Sequence, residues 1–275
     1  MHPIHRAYVL LRGGGDLASG VALRLHRSGF NVIITELPQP MAVRRTVSFS
    51  EAVYEGQVNI EGVVARQVFS AVEAFELAHG GVIAVFVDPQ AAILEQGNFA
   101  CMVDARLLKI RVEERISKSP LVIGLGPGFI CGDNCHAVVE TMRGHFLGRV
   151  YWQGSALDDT GQPEGDARRV LRAPLDGVLT GYASIGDRVE TGQTIAEVDG
   201  PAGHMKIIAP FGGILRGLIR PGLPVRKGVK IGDIDQRSQW EYCFSVSEKA
   251  LAVGGGVLEA LLTWNNPARD HLPPE

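Results

Sequence analysis

The chain has 275 residues, 45% of them hydrophobic and 21% charged, a balance typical of a folded globular protein and unlike that of a disordered one. The formal net charge of −3 gives no whole-chain case for a nucleic-acid partner or an anionic membrane surface. No apolar run approaches the roughly 20 residues of a membrane span, and the opening apolar run is too short for a secretory signal. Four cysteines in this length do not suggest a disulfide framework, so a cytoplasmic location with reduced thiols is expected.

The elements begin with a short apolar run, Ala7 to Leu11, of strand type. Arg12-Gly13-Gly14-Gly15-Asp16 is a glycine turn, and Leu17 to Arg27 then carries apolar residues at helical spacing. Gly29 suits a left-handed helix cap, and the β-branched Val32-Ile33-Ile34 that follows reads as a buried parallel strand. Together these predict a βαβ unit. Tyr54 to Gln67 alternates around Gly56 and Gly62 as a hairpin would. Ser70 and Glu73 have capping-box spacing before a helix that reaches His79. Further strands are expected at Gly81 to Val87, at Met102 to Ala105, and at Leu121 to Gly124, which meets a second glycine turn. A helix is expected to open at Cys135-His136 and run through Glu140 and Arg143.

From Val150 the texture changes. Asp158 to Asp166 is polar and turn-rich, and a duplication follows at a constant offset of 36 residues. Ala173-Pro174-Leu175-Asp176-Gly177 matches Ala209-Pro210-Phe211-Gly212-Gly213, and glycines 181, 186 and 192 match 217, 222 and 228. Neither half holds enough apolar residues for its own core, so the halves should clasp. The tail returns to helix, with Ser245 and Glu248 at capping-box spacing and Gly254-Gly255-Gly256 explained best by close backbone packing. Residues after Asn265 look frayed.

The expected fold is therefore α/β: a Rossmann-like, mostly parallel sheet followed by a small duplicated β module resembling a biotinyl/lipoyl-type barrel-sandwich hybrid. The divisions are 1–157 for the Rossmann-like domain, 158–171 for a linker and 172–236 for the β module. Residues 237–275 form a helical segment packing back on the first domain.

Gly13-x-Gly15-x-x-Ala18 stands where a dinucleotide fingerprint belongs, between a strand and a helix whose N-terminus attracts anions. Glu36, at the end of the second strand, stands where an acid binds ribose hydroxyls. Asp16 inside the turn opposes phosphate if it points inward, so glycines serving the turn alone are the competing reading. Arg44 and Arg45 suit phosphate or carboxylate, or a solvated ion pair. Gly126 and Gly128 form the second glycine turn. His136, Glu140 and Arg143 share one face of the expected helix, as an anion site or as an ion-paired surface. Cys135, expected at a helix N-terminus, is the candidate reactive thiol, with an inert packed cysteine as the alternative. Cys131 and Cys135 lack the spacing of a common zinc site, so no metal is expected. Met205-Lys206 is similar to a carrier lysine, but with too little strand around it, so neither biotin nor lipoate is expected.

Four runs carry a family resemblance: Arg12 to Gly20, Arg44 to Phe49, Gly124 to Phe129, and His136 to Thr141 with Arg143-Gly144-His145. As a set, from about Val9 to Leu262, they resemble the YqeB-type accessory proteins of the selenium-dependent molybdenum hydroxylase system. That family is distantly similar to XdhC-type maturation factors, which bind molybdenum cofactor and help load xanthine dehydrogenase-like enzymes. The resemblance implies a maturation role, with molybdopterin or its nucleotide form as candidate cofactor and a molybdenum hydroxylase as partner; a homo-oligomer is left open by the sequence. It implies Gly13, Gly15, Arg44, Arg45, Gly126, Gly128, His136, Glu140 and Arg143 as site positions and assigns no catalytic residue. Cys131 lies outside its pattern. Two rival readings stand beside it: an NAD-dependent oxidoreductase, for which no convincing acid or base is seen, and a docking scaffold acting through the β module.

Overall fold

The computed structural model describes residues 7–112, 116–161, 165–237 and 239–266. The expected fraying after Asn265 falls almost wholly outside them, as does part of the polar segment around Pro163. Strand β1 (Tyr8–Arg12), helix α1 (Asp16–Arg27) and strand β2 (Asn31–Glu36) form the first unit. Helix α2 (Ala52–Glu55) leads into the hairpin β3 (Gln57–Ile60) and β4 (Val63–Val68). Helix α3 (Ala71–His79) starts on Ser70, whose hydroxyl accepts from Glu73 N at 3.2 Å, while the Glu73 carboxylate accepts from Phe69 N at 2.9 Å. Strands β5 (Ile83–Val87), β6 (Phe99–Asp104), β7 (Val122–Leu125), β8 (Ala137–Val139) and β9 (Val150–Tyr151) complete the large sheet.

That sheet has nine strands in the order β3-β4-β5-β2-β1-β6-β7-β8-β9. The central pairs are parallel, and the edge pairs β3–β4 and β8–β9 are antiparallel. Alternate side chains supply two cores. Val9, Leu11, Val32, Ile34, Val85 and Val103 face α1 on one side; Leu10, Ile33, Ala84, Met102 and Val122 join α3 and Phe129 on the other.

This architecture corrects the Rossmann-like expectation. Of the two glycine turns only the first is followed by an α-helix, and the helix expected downstream of the second is absent. Among the described residues, β5, β6, β7 and β8 follow one another with 3-10 turns and loops but no α-helix, so the sheet is mixed rather than doubly wound. The expected helix from Cys135 to Arg143 is replaced by β8. Ala137, Val138 and Val139 are buried in succession, which suits a strand covered on both faces, and β-branched valines favour that state.

The duplicated segment forms two four-stranded antiparallel sheets. Its strands are β10 (Val170–Arg172), β11 (Gly177–Gly181), β12 (Arg188–Val189), β13 (Thr194–Gly200), β14 (Gly203–Ile208), β15 (Gly213–Leu218), β16 (Pro224–Val225) and β17 (Lys230–Asp235). The sheet orders are β10-β17-β15-β12 and β14-β13-β11-β16, so each repeat contributes strands to both sheets. The shared core pairs repeat-equivalent positions such as Leu171 with Ile207, Leu179 with Leu215, Val189 with Val225 and Ile195 with Ile231. The biotinyl/lipoyl-type likeness is also corrected: Lys206 lies within β14 opposite Glu197, not on the turn between β13 and β14, because that hairpin continues three residues past it to Gly200 and Gly203.

The β module is fastened to the large sheet. Arg45 Nε donates to Leu218 O at 3.0 Å, and Gly217 lies against Val43, where a Cβ would come within 2.9 Å of the Val43 carbonyl. Arg220 donates to Glu51 at 2.9 Å, pairs with Glu55 and sits over the Tyr54 ring at 4.5 Å.

Helix α4 (Glu248–Trp264) is the last helix among the described residues. Its cap is Ser247, which accepts from Ala250 N at 3.2 Å; Ser245 instead donates its hydroxyl to Glu241 O. The helix lies across α1 with small residues at the crossing. A Cβ on Gly254 would stand 2.6 Å from Gly20 O, and one on Gly256 would collide with Gly148 O, whereas Gly255 faces open space. Gly254→Ala is therefore expected to destabilise by about 1–3 kcal/mol through overpacking. Gly255→Ala is expected to stabilise by up to about 1 kcal/mol through helix propensity. Urea unfolding of the two variants checks both signs.

Candidate functional site

The parallel strands end along one edge of the large sheet, and the β module faces that edge. Two cavities of about 600 Å³ each lie in the cleft between them. The first is bordered by the ends of β1 and β2 at Arg12 and Glu36, by Asp88-Pro89 after β5, and by Ala105 to Leu108 after β6. The second is bordered by Pro127 after β7, Thr141 to Arg143 after β8, and Arg169, Val170 and Arg172 of the β module. Leu17, Leu107 and Lys230 border both, so the cavities meet at those side chains.

In the first cavity the charged groups are matched to one another. Gly13 takes a φ of +93° that a side chain would strain, and its N–H donates to Thr35 O at 2.8 Å. Glu36 accepts from Gly14 N and Leu37 N, each at 2.7 Å; burial pushes its carboxyl above the usual carboxylate value, and the two amides pull it back. The Glu36 carboxylate therefore closes the glycine turn from within. Gly15 caps α1 and is open to the cavity. Asp16 lines the cavity but is held by Arg44 at 3.0 and 3.1 Å. Arg44 is buried, and its other amine donates to Tyr242 O at 2.8 Å and Ser245 O at 3.0 Å, so it joins α1 to the segment before α4. Asp104 is fully buried and receives Arg106 through two nitrogens; Asp88 accepts from Ile93 N at 2.9 Å.

The second cavity is cationic. Among the described residues Lys109, Arg143, Arg169, Arg172, Lys230 and Lys249 line it, against the single lining carboxylate of Asp159. Carboxylates stand beside at least four of these cations: Asp159 at 2.8 Å from Lys109, Glu248 with Arg143, and Asp233 with both Arg169 and Lys230. Lys230 Nζ stands 3.9 Å from Asp233. Its ammonium is held below the usual lysine value, chiefly by burial, with Arg169 and Arg216 adding to the effect against the pull of Asp233.

Of the expected site residues, Gly13, Gly15, Asp16, Glu36 and Arg44 meet in the first cavity, and Arg143 borders the second. The others lie elsewhere, for identifiable reasons. Arg45 borders neither cavity and serves the β module, as described. Gly126 sits against Thr141, and Gly128, at φ +99°, sits against Ile110 O. Asn134 Nδ2 donates to Gly128 O at 3.0 Å, so the second turn is packed into its own loop. His136 accepts from Val122 N through Nδ1 at 2.9 Å and meets the Trp264 ring edge-on. Glu140 is fully buried and accepts from Met142 N at 2.7 Å and Leu157 N at 2.9 Å. Without the expected helix, His136, Glu140 and Arg143 share no face. Cys135 is likewise not at a helix N-terminus. It is fully buried, and its hydrogen bond with Cys131, together with burial, pushes its thiol up, the opposite of activation.

The cations missed from the sequence are Lys109, Arg169, Arg172, Lys230 and Lys249. They are scattered over 141 positions with no local motif, and only the docking of the β module gathers them. Among the described residues no group of three or more His, Cys, Asp or Glu side chains could hold a metal ion, and no helix is long and apolar enough to cross a membrane.

No family model matches the chain. Among solved structures it aligns with an aspartoacylase family protein of Mesorhizobium loti at 10% identity and a TM-score of 0.27, covering 83% of this chain and 84% of that one. It also aligns with the ectoine utilization protein EutE of Ruegeria pomeroyi, at 10% identity and a TM-score of 0.25 over 83% and 86% of the two chains. A succinylglutamate desuccinylase/aspartoacylase of Rhodobacter sphaeroides matches at 14% and 0.27 over 83% and 85%. These neighbours are acylase, desuccinylase and ectoine-utilization proteins, not the molybdenum hydroxylase maturation factors or Rossmann nucleotide-binding proteins expected from the sequence; at such scores they assign this chain no activity. The uncharacterized protein YqeB of Escherichia coli K12 is 46% identical over 265 residues, which is 95% of this chain and 48% of that protein. The chain thus spans about half the length of the curated relative it matches, and the match supports its membership of the YqeB family.

Proposed function

We propose that the chain binds a multiply anionic small molecule in the cleft between the large sheet and the β module. The observation that carries this reading is the lining of the second cavity, where among the described residues six cations stand against the one carboxylate of Asp159, in a chain whose formal net charge is −3. Gathering like charges around one cavity raises their mutual repulsion, and a bound anion relieves it. Arginines offer paired donors to phosphate or carboxylate oxygens, and lysines supply point charge.

Pyrophosphate and a tricarboxylate are the probes. Isothermal titration is expected to show one site per chain, with affinity falling roughly tenfold or more between about 0.05 and 0.5 M salt as the charges are screened. Arg172→Ala and Lys230→Met are each expected to weaken binding about tenfold, or ~1.4 kcal/mol. Absence of both heat and a thermal shift with either probe, or unchanged affinity in the double variant, overturns the reading.

A pH dependence follows from Lys230. The bound anion favours its protonated form, so affinity is greatest where the ammonium is intact and falls as pH rises through its lowered value. The decline therefore starts below the ordinary lysine pKa of about 10.4. Lys230→Arg should flatten that part of the profile, because a guanidinium stays charged. Titration across the alkaline range checks it.

A further inference from the structure

We infer that the ligand is bipartite: an anionic head in the second cavity joined to an apolar tail in the first, with Lys230 at the junction. This rests on the anion-binding reading above and deepens it.

The two cavities offer different chemistry. In the first, Asp16 is engaged by Arg44, Glu36 by two backbone amides, Asp88 by Ile93 N, and Arg106 by Asp104. Arg12 donates to Pro89 O at 3.2 Å. With those groups matched inside the protein, the apolar lining is what a ligand meets. That lining includes Leu37, Met41 and Leu108, all counted among the large apolar side chains most open to solvent, at 52%, 41% and 45% exposure. Three such side chains converge on one cavity from separate segments, after β2 and after β6. Val43 lies on the same wall, and Leu17 and Leu107 continue the apolar surface to the junction. Exposed apolar surface gathered in a concave site is stabilised by an apolar occupant.

Continuity makes the two halves one site. Leu17, Leu107 and Lys230 border both cavities, so a molecule whose head lies among Arg169, Arg172 and Lys249 passes Lys230 and enters the first cavity beside Leu107. The chemical class is an organic diphosphate, or a polycarboxylate of similar charge, bearing an apolar chain.

The test compares three probes on the full chain: pyrophosphate as head alone, geranyl diphosphate as head with an apolar tail, and uridine diphosphate as head with a polar tail. Geranyl diphosphate is expected to bind more than tenfold tighter than pyrophosphate and tighter than uridine diphosphate. In the double variant Met41→Asn, Leu108→Asn, which alters only partly exposed side chains, the ratio of geranyl to inorganic diphosphate affinity is expected to fall below about threefold. Thermal unfolding of that variant confirms that it is folded. Equal affinity for pyrophosphate and geranyl diphosphate, a preference for uridine diphosphate, or an unchanged ratio in the folded variant overturns the bipartite ligand while leaving the anion site standing. Failure of pyrophosphate to bind at all overturns the anion site, and this inference with it.

Discussion

The backbone-to-backbone contact between α1 and α4 is the constraint on which the cleft depends. Gly20 and Gly254 let two helices approach until main-chain atoms touch, and Gly256 does the same against Gly148. The contact returns the chain's last helix to the face of the large sheet where α1 lies, although more than two hundred residues separate Gly20 from Gly254. Everything between β9 and α4, the whole β module included, is then held at both ends by one platform. Arg44 reinforces the arrangement from the other side, joining Asp16 at the start of α1 to carbonyls just ahead of α4. Removing a buried, multiply bonded arginine leaves several acceptors without donors, a change that typically costs about 3–5 kcal/mol. Arg44 is thus better placed to hold the module over the sheet edge than to meet a ligand.

A parallel sheet directs the carboxyl ends of its strands to one edge, and loops from that edge meet the module. The edge supplies the glycine turn, Glu36 and the apolar rim; the module supplies Arg169, Arg172 and Lys230. Neither partner makes the cationic cavity alone. Its field is a product of docking, which explains how a chain of mildly negative net charge presents a positive site. Burial amplifies that field; the Lys230 ammonium is lowered first by burial, with Arg169 and Arg216 adding to the effect.

Much of the scaffold was legible in the sequence, because the relevant signals are local. Leu17, Val21 and Leu25 repeat at helical spacing and Val32 to Ile34 are β-branched, and both elements form there. The 36-residue duplication was legible because its glycines and core positions recur without a gap. The chemistry was less so. His136, Glu140 and Arg143 have helical spacing, but Ala137 to Val139 are buried in the sheet, and that burial decided the local structure. The second glycine turn resembles the first, yet Phe129 covers Gly124 and Ile110 crowds Gly128, so it packs instead of opening. Lys230 stood in the repeat without any mark of a site, since its environment comes from segments distant in sequence.

The duplication also clarifies how the site arose within a symmetric frame. Positions that build the core of the β module are apolar in both repeats, as the register of Leu171 with Ile207 and Ile195 with Ile231 requires. Positions facing outward have diverged. Lys230 corresponds to Thr194, and Arg169 and Arg172 correspond to Met205 and Ile208, the latter two half-exposed. A pseudo-symmetric fold presents two similar ends, and only one can rest against the sheet edge. The end that does so carries three cations, and its counterpart carries none at the matching positions. The apolar core shared by the two sheets is drawn from both repeats, while the cations of the cleft stand at other positions of the module, and Arg169 serves both, since it also pairs with the buried Asp233.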